Sequence, residues 1–188
     1  MNNNYTIGVE EEYMLCDPNR GELVDKANIV MSNIPLDLKE RFSYELILSE
    51  VESNTKICDN VSQSIEELNK NRNFLLKIGK KNDFKIGISG THPTALPEKQ
   101  NFVKSESYNW VSSQLQYYAK RNITFSTHIH IGLYDSENII KVTNSLRRWI
   151  APLLALSANS PFFEGIKTGM HSSRTFQFGS FPRTNIPA

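Results

Sequence analysis

Three adjacent carboxylates, Glu10, Glu11 and Glu12, sit inside Thr6-Ile7-Gly8-Val9-Glu10-Glu11-Glu12-Tyr13-Met14-Leu15, a run that otherwise reads as a β-strand. A strand sends successive side chains to opposite faces. Ile7, Val9, Glu11, Tyr13 and Leu15 then share one face, and Gly8, Glu10, Glu12 and Met14 the other. Glu10 and Glu12 stand about 7 Å apart along their face, and two such carboxylates repel unless a cation lies near them. Gly8 leaves room on that face for an approaching group. The arrangement suits a hard metal ion, and its plain rival is a solvated strand face with surplus charge. Glu11, among apolar residues, is expected to make a structural ion pair.

Composition removes several classes of function. The 188 residues suffice for one domain with a sizeable core. Lys and Arg number 21 against 20 Asp and Glu, a net charge of +1, so no strong field draws nucleic acid or an anionic membrane. Met1-Asn2-Asn3-Asn4 has neither the basic start nor the apolar core of a signal peptide. There is also no apolar run of about 18 residues, and a cytoplasmic location is the expectation. Cys16 and Cys58 make neither a metal-ligand spacing nor a disulfide framework, and read as reduced packing residues.

Along the chain, Asp17-Pro18 and Gly21 predict a turn that closes a hairpin onto Leu23-Val24. Residues 26–40, with Pro35 among apolar positions, predict a broken helix or loop. Residues 42–52 predict one strand carrying Glu45, Glu50 and Glu52. From a cap at Asp59 or Ser62, Val61, Ile65, Leu68, Arg72, Leu75 and Ile78 recur at helical spacing as far as Gly79. The charged positions of that helix, including Glu67 and Arg72, are expected to face solvent. A strand follows from Phe84 towards Gly90, then a helix over 104–120 whose stripe (Tyr108, Val111, Leu115, Tyr118) suits core packing. Phe125 to Leu133 alternates strictly: Thr127, Ile129, Ile131 and Leu133 on one face, His128, His130 and Gly132 on the other. A helix from Ser136 is expected to bury Ile139, Ile140, Thr143, Leu146 and Ile150 and to kink or end at Pro152. Residues 162–188 predict a loop-rich, function-bearing region.

Glu10 and Glu12, Glu45, Glu50 and Glu52, and His128 and His130 all interrupt strands, and each is costly if buried without a partner. Together they predict one polar cavity. Oxygen-rich ligation with an occasional imidazole suits Mg²⁺ or Mn²⁺ better than zinc. The sharper rival is a His-x-His zinc hydrolase, with His92 or a glutamate as a further ligand. No P-loop, no Gly-x-Gly-x-x-Gly after a strand and no Gly-x-Ser-x-Gly is present. Metal-assisted chemistry on an anionic substrate remains, with Arg174 and Arg183 as candidate partners for a carboxylate or phosphate.

Six motifs then occur in order: Gly8 to Glu12; Glu45 to Glu52 with Ser53-Asn54-Thr55; Gly90-Thr91-His92-Pro93; Thr127 to Gly132; Ala155 to Gly165; and Ser173-Arg174 through Phe181-Pro182. In this order they resemble the bacterial carboxylate–amine ligase family often called glutamate–cysteine ligase type 2, over essentially the whole chain. The resemblance implies an α+β fold, an antiparallel sheet curved into a funnel with helices on its outer face, as in glutamine synthetase. It also implies an ATP-dependent ligation with Mg²⁺ (or Mn²⁺), in which glutamate or another carboxylate forms an acyl phosphate that an amino-acid amine attacks. By motif, Glu10, Glu12, Glu45, Glu52 and His128 look like metal ligands, and Arg174 like a catalytic contact to the substrate carboxylate or phosphoryl group. His130 and Arg183 are candidate substrate contacts, and His130 is also a second candidate ligand.

Glu45 and Glu52, seven apart, fall on opposite faces of a regular strand; either a β-bulge brings both inward or Glu50 is the better partner for Glu52. Family members run to about twice this length, and their second half supplies a Glu-x-Arg motif that occurs nowhere in these residues. Residues 1–188 are accordingly expected to be the N-terminal part of one catalytic domain, with the C-terminal half absent. A truncated, non-catalytic metal- or ligand-binding remnant is the alternative, and assembly into a homo-oligomer stays open.

Overall fold

A computed structural model describes residues 5–104, 106–116, 121 and 123–179. Strand β1 (Tyr5–Cys16) runs through the middle of a five-stranded antiparallel sheet. Along one edge it pairs with β3 (Glu50–Asn54), which pairs in turn with β2 (Phe42–Tyr44). Its other edge is shared, β4 (Lys85–Gly87) pairing with residues 14–16 and β5 (Thr127–Leu133) with residues 5–11. Alternation along β1 holds as expected, with Ile7, Val9, Glu11, Tyr13 and Leu15 buried on one face.

The single strand expected over residues 42–52 is instead a hairpin. The chain leaves β2 at Tyr44, turns through residues 45–49 and returns as β3, with Ser43 opposite Glu52 and Tyr44 opposite Val51. Ile47 pairs outside the sheet with Phe102, and the Glu50 amide donates to the Ile47 carbonyl. No bulge is needed, because Glu45 lies in the turn while Glu50 and Glu52 share a face of β3. The first turn forms as expected: Gly21 takes a positive φ of 72°, Asp17 accepts from the amides of Asn19 and Arg20, and Cys16 bridges to Leu23.

Helices cover the buried face. Helix α1 (Ala27–Ser32) and a 3-10 turn over Leu36–Arg41 are the broken helix of residues 26–40. Helix α2 (Val61–Asn82) starts at Asn60, whose side chain accepts from the Gln63 amide, and ends at Asp83 in the left-handed region (φ 56°). Gly79 is therefore not its terminus; a Cβ there would lie 2.5 Å from the Phe84 carbonyl, so glycine permits the close return of the chain. Beneath these helices Tyr13, Leu15, Ala27, Val30, Phe42, Val51, Leu75 and Phe84 form the main core. Full burial of each large apolar side chain is worth about 1.5–3 kcal/mol.

Two expectations for α2 fail because the sheet face and the loops it meets are partly polar. Its buried stripe is Ser64, Glu67, Asn71, Leu75 and Gly79, whereas Val61 and Ile65 are exposed. Asn71 donates to the Ser53 hydroxyl and the Asn54 carbonyl, and Arg72 reaches under the sheet to Glu11. Glu67, expected in solvent, is buried among Arg41, Lys56 and Lys70.

Helix α3 (Glu106–Leu115) sends the Tyr108 hydroxyl to the Tyr44 carbonyl (2.8 Å); Tyr118 lies outside the described residues. After β5, helix α4 (Ser136–Leu146) passes through a 3-10 turn at Arg147–Trp149 into α5 (Ile150–Ser157). The break thus precedes Pro152, which sits in the first turn of α5, where a missing N–H costs nothing. The expected burial on α4 is absent. Ile139, Ile140, Leu146 and Ile150 are exposed, and neither α4 nor α5 has a buried residue. Strands β6 (Phe162–Phe163) and β7 (Ile166–Lys167) form a small hairpin, and α6 (Ser173–Gly179) follows.

Candidate metal and substrate site

The face of the sheet opposite the helices collects the carboxylates. Register places Glu12 opposite Glu52, Glu10 opposite His128 and Gly8 opposite His130. Directly opposed residues share a face with Cβ atoms about 5 Å apart, so pairing converts three sequence-distant motifs into one surface. Donor atoms of Glu12, Glu52 and His128 lie within 4.8 Å of one another, as do those of Glu10, His128 and His130. His128 belongs to both groups.

The imidazoles are held by their neighbours. Glu10 Oε2 meets His128 Nδ1 at 3.0 Å and His130 Nε2 at 3.1 Å, while His128 Nε2 lies 3.1 Å from the Ser126 hydroxyl. Glu52 Oε1 accepts from Ser43 (3.1 Å) and Asn54 (3.3 Å). Ser43 and Ser126 carry no signal in the sequence, since lone polar residues beside strand carboxylates have no distinguishing pattern, and Asn54 enters there only as part of a motif.

Burial sets the electrostatics. It tends to raise Glu10, but hydrogen bonds with His130 and His128 outweigh it and hold the carboxyl below the usual range. Glu12 is raised, chiefly by burial and further by Glu52. Burial followed by Glu12 and Glu52 pushes Glu45 up to about 7, although its carboxylate accepts from the Leu46 amide. Glu50, only 4% exposed, is raised well above its ordinary range by burial and then by Glu12, Glu45 and Glu52. Neither Glu45 nor Glu50 joins the groups gathered within 4.8 Å; both face the same carboxylates from farther off.

This donor set fits a hard divalent cation: carboxylate oxygens predominate and imidazoles supply the only nitrogens. A further oxygen points the same way. The side chain of Asn54, opposite Glu10 in the register, donates its NH₂ to Glu52, leaving its buried Oδ1 with no donor among the described residues. Zinc ligation through His92 does not fit. That ring is buried in a turn, with Nε2 on the Gly21 carbonyl (2.8 Å) and Nδ1 accepting from the amides of Thr94 and Ala95.

Beside Glu12 opens a cavity of about 380 Å³ lined by Ile88, Gly90, Phe125, Ser126, Leu154, Asn159 and Arg174, among others. Arg174 enters from α6. Its amide donates to the Ser160 hydroxyl (3.2 Å), its Nε to the Phe125 carbonyl (3.0 Å), and its guanidinium lies 4.9 Å from the centre of the Phe178 ring. Burial lowers its pKa and Glu12 opposes the shift. A Cβ on Gly90 would stand 3.1 Å from Arg174 Cδ and from Asn159 Oδ1, so glycine there leaves space for the arginine. Arg183 lies outside the described residues.

On the other face, Glu11 is as buried as Glu50 yet fully partnered. Arg72 Nε donates to it at 2.9 Å, with further hydrogen bonds from Arg72 Nη2 and the Tyr13 hydroxyl. This is the ion pair expected for it.

A sequence profile of the glutamate–cysteine ligase family 2 matches residues 6–188. A relative from Solibacter usitatus, named "Putative glutamate–cysteine ligase 2", is 39% identical over 184 residues, covering 97% of this chain and 48% of its own length. One from Rubrobacter xylanophilus, "Putative glutamate–cysteine ligase 2-1", is 37% identical, with 99% and 50% coverage. The chain thus spans about half the length of the curated relatives it matches. Among solved structures, a Pasteurella multocida bifunctional glutathione synthetase superposes with a TM-score of 0.65 at 13% identity, over 85% of this chain and 24% of its own. A Francisella tularensis glutamate–cysteine ligase in complex with AMP gives 0.54 at 16% identity, over 77% and 30%. These two likenesses concern the fold, an antiparallel sheet with helices. Among the described residues no helix is long and apolar enough to cross a membrane. By the profile match across nearly its whole length, the chain belongs to the glutamate–cysteine ligase family 2.

Proposed function

We propose that these residues supply the first half of the active site of an ATP- and Mg²⁺-dependent carboxylate–amine ligase. The observation that carries this reading is the register that brings Glu10, Glu12, Glu52 and His128 onto one face beside the Arg174 cavity. In the proposed reaction a carboxylate oxygen of glutamate, or of a similar acid, attacks the terminal phosphorus of ATP and ADP departs. The amine nitrogen of an amino acid then attacks the acyl phosphate, phosphate leaves and the nitrogen loses a proton.

A bound divalent cation would offset the negative charge of the polyphosphate, on which such transfers depend. Glu10, Glu12, Glu52 and His128 would hold it, with Glu45 farther off. Arg174, fixed through Nε, offers its remaining N–H groups to an anionic substrate in the cavity. The Glu10 bonds to both histidines keep their rings from turning away, as partners of ligating imidazoles do. The test is ADP release by the full-length protein given ATP, Mg²⁺, glutamate and a panel of amino acids. Release that requires both glutamate and one amine is expected; no release above background with any pair contradicts the reading.

A second reading has its own support. Ile129, Ile131, Ile139, Ile140, Leu146, Trp149, Leu153 and Leu156 are exposed on β5, α4, the turn between the helices and α5, apolar side chains of the kind that mark an interaction surface. On this reading residues 1–188 alone bind metal or ligand without turnover. Adding the second half of a relative to the chain separates the two: ADP release appearing only then favours the ligase.

A further inference from the structure

Most hydroxyls on the wall of the Arg174 cavity are already engaged. Ser89 Oγ donates to the Asn159 carbonyl (2.8 Å) and Ser157 Oγ to the Leu154 carbonyl (3.4 Å), while Ser126 Oγ meets His128 Nε2 and Ser172 Oγ meets Thr175 Oγ1. Asn159 differs. Its Oδ1 accepts from the Gly90 amide (2.9 Å), which fixes the orientation of the whole side-chain amide, and its two Nδ2 hydrogens have no acceptor among the described residues.

Arg174 is held in a similar way. Its Nε is engaged by the Phe125 carbonyl, so the Nη groups are left for a ligand. Both side chains lie over Gly90, where a Cβ would stand 3.1 Å from Arg174 Cδ and 3.1 Å from Asn159 Oδ1, and both line the same cavity. One offers a charged fork and the other a neutral amide, and each is oriented before any ligand arrives. Oriented N–H donors of this kind suit an oxyanion. We propose that Asn159 is a substrate-contacting residue: its Nδ2 hydrogens and the Nη groups of Arg174 form one subsite for an oxyanion, a carboxylate or phosphoryl group of the reactants. The proposal rests on the reading of this cavity as the ligase's substrate pocket. It gives Asn159, which entered the sequence only within the Ala155 to Gly165 motif, a task of its own.

Calorimetric titration of the chain with glutamate alone and with ATP alone tests this on Asn159→Asp and Asn159→Ala. Glu12 borders the same cavity and repels an anion, so Mg²⁺ is present throughout. Asn159→Asp keeps an acceptor for the Gly90 amide and loses the N–H donors, whereas Asn159→Ala loses the donors without adding a charge. Both variants are expected to bind one of the two ligands about tenfold more weakly or worse, and Asn159→Asp is expected to melt as the unaltered chain does. Weakening confined to glutamate assigns the subsite to the substrate carboxylate; weakening confined to ATP assigns it to the phosphates. Unchanged affinity in Asn159→Asp overturns the proposal and leaves Asn159 as a positioning residue for Gly90. Weakening in Asn159→Asp with none in Asn159→Ala also overturns it, because the added charge then accounts for the loss. An unaltered chain that binds neither ligand overturns it as well, while ADP release by the full-length protein decides the ligase reading separately.

Discussion

The two faces of the central sheet solve the same problem differently. Behind β1, helices α1 and α2 cover an apolar core, and the buried Glu11 is neutralised by Arg72 and Tyr13. In front of it Glu10, Glu12 and Glu52 gather, with Glu45 and Glu50 farther off, and among the described residues two imidazoles face them at close range. One face pairs its buried carboxylate with an arginine; the other gathers carboxylates beside two imidazoles. Arg174 opens towards Glu12 through a cavity, with no bond between the two among the described residues. The difference teaches that burial alone does not set a carboxylate's state; its partners do.

The closed face is where substitution should cost most. Leu75→Ala, which empties a fully buried position in the main core, is expected to lower stability by about 2–5 kcal/mol in urea unfolding. Leu153→Ala on the uncovered α5 should change it by less than about 0.5 kcal/mol, so a comparable loss at both would mean that α5 is covered. Arg72→Met leaves Glu11 buried and unpaired, at a cost of about 3 kcal/mol; a near-neutral result would remove the claim that this face is satisfied by ion pairing.

How far the sequence foretells this differs by level. Alternation along β1 and β5 was readable because a period of two survives any tertiary context, and it placed Glu10, Glu12, His128 and His130 on the right sides. The hairpin at residues 45–49 was not readable. Glu45 to Ser49 contains neither glycine nor proline, and its reversal is fixed by contacts with Phe102 and Asn101 far along the chain. The buried stripe of α2 departs from its apolar periodicity for a related reason. Polar Ser64, Glu67 and Asn71 face inwards because the sheet and loops offer them partners, which helix periodicity cannot see. The burial expected of α4 failed because its apolar side has nothing over it within the described residues.

Acidity sharpens the comparison more gently. Glu45 is raised to about 7 and Glu50 is raised as well, so between the ordinary carboxylate range and pH 7 the folded metal-free chain binds more protons than the unfolded one. Stability then falls as pH rises through that window. The melting temperature without metal should climb as the solution is taken from pH 7 towards 5, and Mg²⁺ should flatten the slope. A melting temperature that falls over the same range would mean that the carboxylate face is not under strain. Gly90→Ala, which crowds Arg174 at 3.1 Å, is expected to weaken binding of an anionic substrate severalfold with little change in melting temperature; unchanged affinity would detach Arg174 from the cavity's function.

The most direct test of the whole account compares neighbours on β1. Mn²⁺ affinity is measured by calorimetry for the unaltered chain, Glu12→Gln and Glu11→Gln. Glu12→Gln should bind about tenfold to a hundredfold more weakly, while Glu11→Gln loses stability but keeps its affinity. Equal loss of affinity in both variants, or none in either, would contradict the assignment of a metal face and a core face to this strand.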